Sequence, residues 1–432
     1  MNDKKEIGVG LIGCGVVGGG VIKHLTENAT VLEERLGAGI AVRKVAVRDL
    51  TKDRGLDPTL LTDQPSEVID DPSVDIVVEL MGGTDQAYDL AQAALQAGKP
   101  LVTANKALLA ERGESLFAQA EESGVSIFFE ASIAGGIPIV KALSEGLSAN
   151  RILSIHGIIN GTCNYILSRM SNEGLEFEPI LKEAKELGYA EADESLDVDG
   201  IDAAHKAALL GTLAFGFWVP MEDVLVEGIR EITAADILFA RKLGYRIILL
   251  ATMKPIEGSA VEVRVHPTLI PEDHILASVT GVFNAVTVTG DVVGHTLYYG
   301  RGAGADPTAS AVISDVIEAG QGILNEAAPR KLRRHQAHGQ VIDRDQVVTP
   351  FYARLLVENR PGVLAQVARI LGEKKIGISS VFQPEEHEEE AIPLVMLLDR
   401  AKEADLRSAI AEVEQLDVVK GPCQIIRVED FS

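Results

Sequence analysis

The sequence is poor in cysteine and in positive charge. Its three cysteines, Cys14, Cys163 and Cys423, have neither metal-ligand spacing nor an even number for a disulfide framework, so they favour a reducing compartment. Forty lysines and arginines stand against 64 aspartates and glutamates, and the net charge of −24 opposes binding to a nucleic acid or an anionic membrane. We therefore expect a cytoplasmic protein that binds small molecules.

The amino-terminal stretch "MNDKKEIGVGLIGCG" lacks the long apolar run of a signal sequence or a membrane span. Low-complexity tracts and internal repeats are also absent from the sequence. An apolar content of 46% with 24% charged residues is typical of globular proteins, and 432 residues predict two to four domains.

A glycine-rich turn follows the first predicted strand, residues 7–12. In the GxGxxG segment, Gly13 allows a tight turn, Gly15 lets a pyrophosphate approach the backbone, and Gly18 permits close packing of a helix predicted over 19–36. Strand, turn and helix together predict a dinucleotide site at the helix N-terminus. The predicted cofactor contacts here are Leu11, Gly13, Cys14, Gly15, Val16, Val17 and Gly18.

Three more strands extend the same doubly wound sheet: 40–49, 74–83, and a strand from 98 that ends at residues 103–106. Arg48 suits the 2′-phosphate of NADP and Asp49 favours NAD, so both cofactors stay open with NADP preferred. These two residues lie about 35 positions beyond Gly13 rather than about 20, which predicts a long helix or an insertion. Thr103 and Lys106 fall at the ligand-binding edge, although Lys106 alone also fits a helix cap or a surface ion pair.

The middle of the chain offers weaker signals. In "VSIFFEASIAGGIPIVKALSEGL", Glu130 opens a glycine-rich turn whose carbonyls suit a monovalent cation. The next strand leads into an Asn-Gly-Thr turn beside Cys163, which is expected to be a small buried residue rather than a nucleophile. His156 and His205 are expected to be structural rather than acid–base groups.

The stretch "GYAEADESLDVDGIDAAHK", residues 188–206, gathers six carboxylates before Lys206. Taken alone, this stretch favours a solvated helix, because Asp202 and Lys206 have the spacing of an ordinary exposed i,i+4 ion pair. The alternative is a functional cluster, and the rest of the chain decides between them.

Six ordered blocks closely resemble homoserine dehydrogenase, which interconverts aspartate 4-semialdehyde and homoserine. They span residues 7 to about 320: the GxGxxG turn, "TANK", "EASIAGGIPI", "GIINGTCNYIL", "GYAEADESLDVDGIDAAHK" and "GRGAGADPTASAV". The resemblance implies that Lys206 is the general acid/base and Lys106 a second active-site lysine. It further implies that Glu191 and Asp202 hold the substrate, with Thr162, Tyr189 and Asp197 as additional contacts. Asp193, Glu194 and Asp199 are left to solvent.

The same resemblance implies a structural sodium or potassium ion, held by Glu130 with carbonyls of Ile133, Gly135 and Ile137. It also adds Gly188, Gly302 and Gly304 to the cofactor contacts, with the segment 300–304 closing over the cofactor. The helix near 305–320 is expected to return and pack on the first domain.

The tail reads as a βαββαβ pattern: strand 351–358, helix to 374, strands 376–382 and 392–399, helix 402–415, strand 424–429. It resembles an ACT domain, an amino-acid-sensing module, which implies threonine as a feedback effector; dimerisation alone is the plainer alternative. "PEEHEEEA" is expected to be a solvated loop.

The sequence thus predicts an α/β protein in four parts. They are a Rossmann-type NAD(P)-binding domain (1–140), an α+β substrate and dimerisation domain (141–330), an irregular linker (331–350) and an ACT domain (351–432). The expected function is NAD(P)H-dependent reduction of L-aspartate 4-semialdehyde to L-homoserine in threonine, methionine and isoleucine biosynthesis, by a homodimer or homotetramer. Two alternatives stay open: a non-catalytic redox and amino-acid sensor, and a sugar-type oxidoreductase similar in "AGKPLVTANK".

Overall fold

The computed structural model describes residues 6–190, 193–256, 259–332, 339–383 and 390–431. Within them the helices are α1 Val16–Glu27, α2 Ala29–Leu36, α3 Pro65–Asp70, α4 Asp85–Gln96, α5 Lys106–Ser123, α6 Ile139–Lys141, α7 Gly161–Glu173, α8 Phe177–Glu186, α9 Ser195–Val198, α10 Ile201–Phe215, α11 Ala234–Lys242, α12 Ala305–Leu324, α13 Val363–Glu373 and α14 Glu403–Val413. In this part of the chain, no helix is both long and apolar enough to cross a membrane.

The strands of the same residues form two sheets. They are β1 Glu6–Ile12, β2 Gly39–Ala46, β3 Leu61–Thr62, β4 Ile76–Glu79, β5 Leu101–Thr103, β6 Ile127–Phe128, β7 Ile152–Ile158, β8 Leu225–Val226, β9 Tyr245–Pro255, β10 Ala260–Pro271, β11 Phe283–Gly290, β12 Gly294–Arg301, β13 Gln340–Val341, β14 Val348–Glu358, β15 Ile378–Phe382, β16 Ala391–Lys402 and β17 Gln424–Val428.

The first sheet is parallel, with the strand order β3-β2-β1-β4-β5-β6. The order reverses between β1 and β4, and the crevice at the carboxyl ends of these strands is where such sheets bind ligands. The predicted doubly wound sheet is therefore confirmed. Two details differ: the helix expected over 19–36 begins at Val16 and breaks at Asn28, and the two-residue strand β3 was not predicted.

The second sheet is mixed and has the order β12-β11-β7-β9-β10-β17-β14-β16-β15, while β8 and β13 also pair with β10. Helix α10 packs on β9 and β10. Helix α12 lies against the first sheet instead, because Ala309, Val312 and Val316 share a core with Ile7 and Val9. The chain therefore returns to the first sheet after building most of the second.

The tail has the predicted βαββαβ order, from β14 through α13, β15, β16 and α14 to β17. It is not a separate sheet, however, because β17 pairs in parallel with β10 through Thr268 with Arg427 and Leu269 with Val428. The prediction of an irregular linker over 331–350 was wrong in part: it contributes β13 and the start of β14. Most of the "PEEHEEEA" segment, residues 384–389, lies outside the described residues.

A buried ion pair also joins the tail to the middle of the chain. Asp236, in the first turn of α11, is fully buried and caps that helix together with Thr233. Its Oδ1 lies 2.6 Å from Nε of Arg354, and its Oδ2 lies 3.0 Å from the Nη2 of the same guanidinium. Tyr352 donates a third hydrogen bond to Asp236, at 3.2 Å. Arg354 and Tyr352 both belong to β14, so this strand is fixed to α11.

We expect Arg354→Leu to lower the melting temperature by at least about 5 °C. The substitution leaves the carboxylate of Asp236 buried without its cation, which costs about 3–5 kcal/mol. Differential scanning fluorimetry measures the shift. The control is Arg369→Leu, which removes an exposed arginine paired with Glu373 and should shift the melting temperature by less than about 1 °C. Equal shifts in the two variants would contradict the account of this joint.

Candidate active site

Asp202 lies between two lysine side chains. Its Oδ2 is 2.6 Å from Nζ of Lys206, and its Oδ1 is 3.0 Å from Nζ of Lys106. Asp202 and Lys206 are one turn apart on the same face of α10. Both are only 8% exposed, so the reading of an ordinary exposed ion pair is wrong. Lys106 opens α5, whose first turn is capped by Asn105 through a 3.1 Å bond from the N–H of Leu108.

The electrostatics of Asp202 follow from this position. Burial works to raise the pKa of the carboxyl group, but the ammonium groups of Lys206 and Lys106 and a hydrogen bond from Asn160 hold that pKa well below its ordinary value. Asp202 is therefore ionised at neutral pH. Burying charges rarely stabilises a fold, since desolvation offsets the attraction. An ion cluster kept at this cost is a functional-site candidate.

Asn160 is a residue of this cluster that sequence reasoning missed. Its Nδ2 donates to Asp202 at 2.9 Å and to Asp197 at 2.7 Å, while its Oδ1 caps α7 by accepting the N–H of Cys163 at 2.8 Å. One amide side chain therefore fixes two carboxylates and a helix start. Its place as the first residue of the predicted Asn-Gly-Thr turn was the sequence signal for it.

Other groups close the cluster. Lys206 also donates to the carbonyl of Ile159 at 2.8 Å. The hydroxyl of Thr162 donates to the carbonyl of Tyr189 at 2.7 Å and lies 3.2 Å from Oδ2 of Asp197. Burial raises the pKa of Asp197, and the hydrogen bond from Asn160 opposes this rise. The structure thus brings Thr162 and Asp197 beside the two lysines and Asp202.

The remaining singled-out residues of the stretch 188–206 divide into four groups. Glu191 lies outside the described residues. Tyr189 joins the cluster only through its carbonyl, because its exposed ring packs on Tyr165 with centroids 5.0 Å apart. Leaving Glu194 and Asp199 to solvent was wrong: Arg230 contacts both, at 3.1 Å and 2.6 Å.

Glu194 also pairs with Lys185 at 2.5 Å, and the hydrogen bond from Lys185 lowers the pKa of Glu194 to about 2. Asp193 is exposed, as expected, and accepts the N–H of Ser195. The carboxylate run is therefore largely a structural ion-pair network around a smaller set of site residues.

The glycine turn has the geometry that dinucleotide binding requires. Gly13 has φ 101°, and a Cβ there would lie 2.7 Å from the carbonyl oxygen of Leu80. A Cβ on Gly18 would lie 2.6 Å from the carbonyl oxygen of Gly13, whereas the space above Gly15 is open. Leu11 is buried in β1, and Cys14, Val16 and Val17 lie at the turn and the start of α1. These positions line the carboxyl edge of the sheet beside β4.

The end of β2 carries more positive charge than was predicted. Arg48 and Asp49 are both exposed, and Asp49 accepts hydrogen bonds from the backbone and hydroxyl of Thr51. Burial raises the pKa of Cys14 in the glycine turn, while Arg54 and Lys52 oppose that rise by their charge. Two basic side chains that the sequence analysis did not predict, Lys52 and Arg54, therefore act on the glycine turn by their charge.

Glu79, at the end of β4, is a further residue that the sequence analysis did not single out. It is fully buried, and it accepts the hydroxyl of Thr103 at 2.6 Å and the N–H of Met81 at 2.8 Å. Thr103 in turn accepts the N–H of Asn105 at 3.0 Å, just before Lys106. Burial raises the pKa of Glu79 despite these bonds. This carboxyl group therefore connects the cofactor edge to the start of the helix that carries Lys106.

The predicted cation turn packs on the predicted cofactor-closing segment. Ala134 and Gly135 both have φ 53°, the N–H of Gly136 donates to the carbonyl of Arg301 at 3.1 Å, and a Cβ on Gly135 would lie 2.4 Å from the carbonyl oxygen of Gly302. Gly304 follows with φ 122° as the residue before α12.

The carboxylate of Glu130 is used locally. It is buried and accepts the N–H groups of Val140 and Lys141 at 2.8 and 2.9 Å, which caps α6. The carbonyl of Ile137 accepts the N–H of Ile139 at 2.8 Å, and Ile133 is fully buried. Each oxygen keeps a further lone pair, so the donor set fits a weakly held monovalent ion. Among the described residues no group of three or more His, Cys, Asp or Glu could hold a metal.

Three other titratable residues that the sequence singled out, His156, His205 and Cys163, are buried. His156 is buried in the second sheet, and burial lowers its pKa to about 4. Burial also lowers the pKa of His205, which lies beside Lys206 on α10. The thiol of Cys163 contacts the carbonyl of Asp197 at 3.2 Å, and burial raises its pKa well above the ordinary value. Their burial fits the expectation that all three are structural.

Comparison with known proteins gives a consistent result. A family model described as "Homoserine dehydrogenase, NAD binding domain" matches residues 13–130, and one described as "Homoserine dehydrogenase" matches residues 138–317. The chain is 44% identical to homoserine dehydrogenase of Pseudomonas aeruginosa over 99% of this chain and 100% of that protein.

Solved structures of similar proteins cover comparable lengths. A homoserine dehydrogenase from Thiobacillus denitrificans is 46% identical, with a TM-score of 0.95 over 99% of both chains. A hyperthermophilic archaeal homoserine dehydrogenase in complex with NADPH is 28% identical, with a TM-score of 0.63 over 75% of this chain and 100% of that chain.

We expect Asp202→Asn to lower kcat at least 100-fold while the Kd for reduced nicotinamide cofactor changes less than about threefold. The amide keeps the size of the carboxylate but removes the charge that orients both lysines. Steady-state kinetics and cofactor fluorescence measure the two effects. The control is Asp199→Asn, the same charge change on an acid paired with Arg230 at the surface, which should keep activity within about threefold. A fully active Asp202→Asn variant would contradict this site.

Proposed function

Because the chain belongs to the homoserine dehydrogenase family of NAD(P)-dependent oxidoreductases, we propose that it reduces L-aspartate 4-semialdehyde to L-homoserine, reversibly, with NAD(P)H. The observation that carries the proposal is the buried cluster in which one carboxylate, Asp202, is shared by the ammonium groups of Lys206 and Lys106. The pathway is that of threonine, methionine and isoleucine biosynthesis.

The first requirement of this reaction is a proton donor and positive charge at the reacting oxygen. A nicotinamide held at the glycine turn would supply a hydride to the aldehyde carbon, which would leave negative charge on the former carbonyl oxygen. Lys206 donates its proton to that oxygen and recovers one from solvent, while in the reverse direction neutral Lys206 removes the hydroxyl proton. Lys106 stabilises the same developing charge as a second ammonium group.

The substrate's own ammonium group is the second requirement. Carboxylates are its natural partners, and we assign this role to Asp202 and Asp197 together with Glu191. The hydroxyl of Thr162 and the region of Tyr189 complete the substrate contacts. Asn160 positions Asp197 relative to Asp202 without needing to touch the substrate itself. A substrate lacking the ammonium would leave these acids unpaired, which gives selection for an amino-acid aldehyde.

We propose NADP as the favoured cofactor, held by the glycine turn with Thr103, Lys106, Gly188, Gly302 and Gly304. The basic groups Arg48, Lys52 and Arg54 suit a 2′-phosphate, and the NADPH complex of the archaeal relative supports the same choice. Asp49 opposes it less than the sequence suggested, because its carboxylate is bound to Thr51.

A monovalent cation, Na⁺ or K⁺, is proposed at the turn of Glu130, Ile133, Gly135 and Ile137. Support comes from the oxygen-rich donor set and from the packing of this turn on the segment of Arg301 and Gly302. The ion would be structural and would take no part in the proton transfer. Its removal in choline buffer should lower the melting temperature whether or not substrate is present.

The tail is proposed to be an ACT domain through which threonine inhibits the enzyme. Support comes from the βαββαβ order and from the antiparallel sheet order β17-β14-β16-β15. We also propose assembly as a homodimer or homotetramer. Edge strand β12 exposes Leu297 and Tyr299, apolar groups that suit burial against a second copy.

The experiment is a single absorbance assay at the reduced-nicotinamide band. Purified protein is given homoserine with NADP or NAD, in sodium, potassium or choline buffer, with and without threonine. We expect reduction of NADP at a higher kcat/KM than NAD, suppression by threonine, and no turnover of a polyol. Absence of turnover with both cofactors would contradict the reaction. Turnover that threonine leaves unchanged would contradict only the role of the tail.

The two alternatives from the sequence are not favoured by any observation. A non-catalytic sensor would not need two lysines held on one buried carboxylate, and the relatives reported above are enzymes. A sugar-type oxidoreductase has no use for an acidic cluster aimed at an ammonium group. The segment "AGKPLVTANK" that suggested it lies at β5 and the start of α5, on the proposed cofactor edge.

A further inference from the structure

Glu79 is a buried carboxyl group at the cofactor edge that the reaction proposed above does not use. It is the last residue of β4 and has no exposed surface. Burial raises its pKa, and the groups that oppose this rise are hydrogen-bond donors rather than cations. Burying a carboxyl group without a cation beside it is costly. A group kept at that cost, at the edge of the sheet where ligands bind, is a functional-site candidate.

Four hydrogen-bond donors surround this carboxyl group. The hydroxyl of Thr103 donates to it at 2.6 Å and the N–H of Met81 at 2.8 Å. The N–H of Gly82 and the side-chain amide of Asn105 also lower its pKa by hydrogen bonding. An ionised carboxylate only accepts hydrogen bonds, whereas a protonated one carries a hydrogen that would have to displace one of these donors. The partners of Glu79 therefore hold it as an anion.

The neighbours of Glu79 fix its place in the crevice. On one side, the carbonyl oxygen of the next residue, Leu80, would lie only 2.7 Å from a Cβ on Gly13, so the glycine turn packs directly on this segment. On the other side, Glu79 accepts the hydroxyl of Thr103, three residues before Lys106 at the start of α5. Glu79 therefore lies between the glycine turn and the lysine that opens the candidate active site.

A dinucleotide would span the same interval. Its pyrophosphate would lie at the glycine turn, and its nicotinamide must approach a substrate held beside Lys106 and Asp202 for a hydride to pass. The turn after β4 leaves room there, because Gly82 and Gly83 have φ 74° and 79° and open space where a Cβ would stand. Glu79 therefore places a negative charge beside the position that the nicotinamide would take.

The charge of a nicotinamide ring changes when it gives up a hydride. A neutral reduced ring that loses a hydride, one proton with two electrons, would become a pyridinium cation. The aldehyde carbon would gain that hydride, and its oxygen would gain a proton from Lys206. A fixed anion attracts the cationic ring and not the neutral one, and this attraction is stronger in a buried site than in water. Because the anion is already in place, it needs no reorganisation during the reaction.

We propose that Glu79 is a fixed negative charge that favours the oxidised, positively charged form of the nicotinamide cofactor. It makes the bound reduced cofactor a better hydride donor, because it stabilises the ring that remains. The two ends of the reaction then have opposite charges beside them: ammonium groups where the oxygen becomes negative, and a carboxylate where the ring becomes positive. The assignment rests on the cofactor site of the proposed function and does not depend on which aldehyde is reduced.

Isothermal titration calorimetry of the full chain with NADP⁺ and with NADPH tests this role. The readout is the Kd for NADP⁺ divided by the Kd for NADPH, in which effects on the phosphates and on general fit cancel. We expect Glu79→Gln to raise this ratio at least about fivefold, because the amide keeps the size of the carboxylate but loses its charge. Glu79→Met, which also removes the charge, should raise the ratio similarly, so the test does not depend on one variant. Glu79→Asp keeps the charge and should hold the ratio within about twofold.

The matched control is Asp75→Asn, the same loss of charge at the other end of the same strand. Asp75 lies just before β4 and accepts the N–H of Gly8 at 2.7 Å. Four residues of extended chain place it about 13 Å from Glu79, so its substitution should leave the ratio within about twofold.

Two results would overturn this role of Glu79. Equal changes in the two Kd values of the uncharged variants, which leave the ratio unchanged, would show that the residue is structural only. An equal rise of the ratio in Glu79→Asp would show that shape rather than charge matters. A raised ratio in a protein that does not turn over homoserine would contradict the proposed function and leave the role of Glu79 standing. Turnover of homoserine with an unchanged ratio would do the reverse.

Discussion

One buried carboxylate between two ammonium groups governs the arrangement of this molecule. The helix dipole is positive at the N-terminus of α10, so it stabilises the negative charge of Asp202 there. Lys106 lies at the N-terminus of α5, where the same dipole effect destabilises a cation. Desolvation adds to the cost. The cluster keeps its shape because Asn160, the carbonyl of Ile159 and the cap at Asn105 fix it from two segments. Its two ammonium groups are what an oxyanion-forming reaction needs.

Each of the two sheets positions one of the two lysines of the cluster. The parallel sheet ends at the glycine turn, and Glu79 and Thr103 carry its geometry forward to the start of α5 and Lys106. The mixed sheet supports α10 from below through β9 and β10. The tail adds strands to the mixed sheet through β17 rather than sitting apart from it. The tail is therefore connected, through β17 and β10, to the helix that carries Lys206.

Sequence reasoning found the features whose signal is local. The turn at Gly13 and Gly18 requires glycine for reasons of backbone angle and close approach, and both requirements are met in the fold. The i,i+4 spacing placed Asp202 and Lys206 on one face, and strand and helix periodicity gave the order of the tail. The resemblance to homoserine dehydrogenase, rather than periodicity, supplied the pairing of Lys106 with this cluster.

The features that were missed depend on contacts distant in sequence. Glu79 fell inside the predicted strand 74–83, and its connecting role is shown by its burial and its hydrogen bond from Thr103. Glu194 and Asp199 looked solvated because their partner, Arg230, lies more than thirty residues further along the chain. The pairing of β17 with β10 joins segments about 160 residues apart, and no local pattern encodes such a register.

Single-turnover reduction of L-aspartate 4-semialdehyde by Lys206→Ala, followed in a stopped-flow instrument beside the wild type, tests the central claim most directly. The account predicts that the rate of cofactor oxidation falls at least about 1,000-fold while the Kd for the reduced cofactor stays within about threefold. The lost step is proton donation at the carbonyl oxygen, and the nucleotide site is untouched. A wild-type rate in this variant would show that Lys206 is not the acid and would contradict the account.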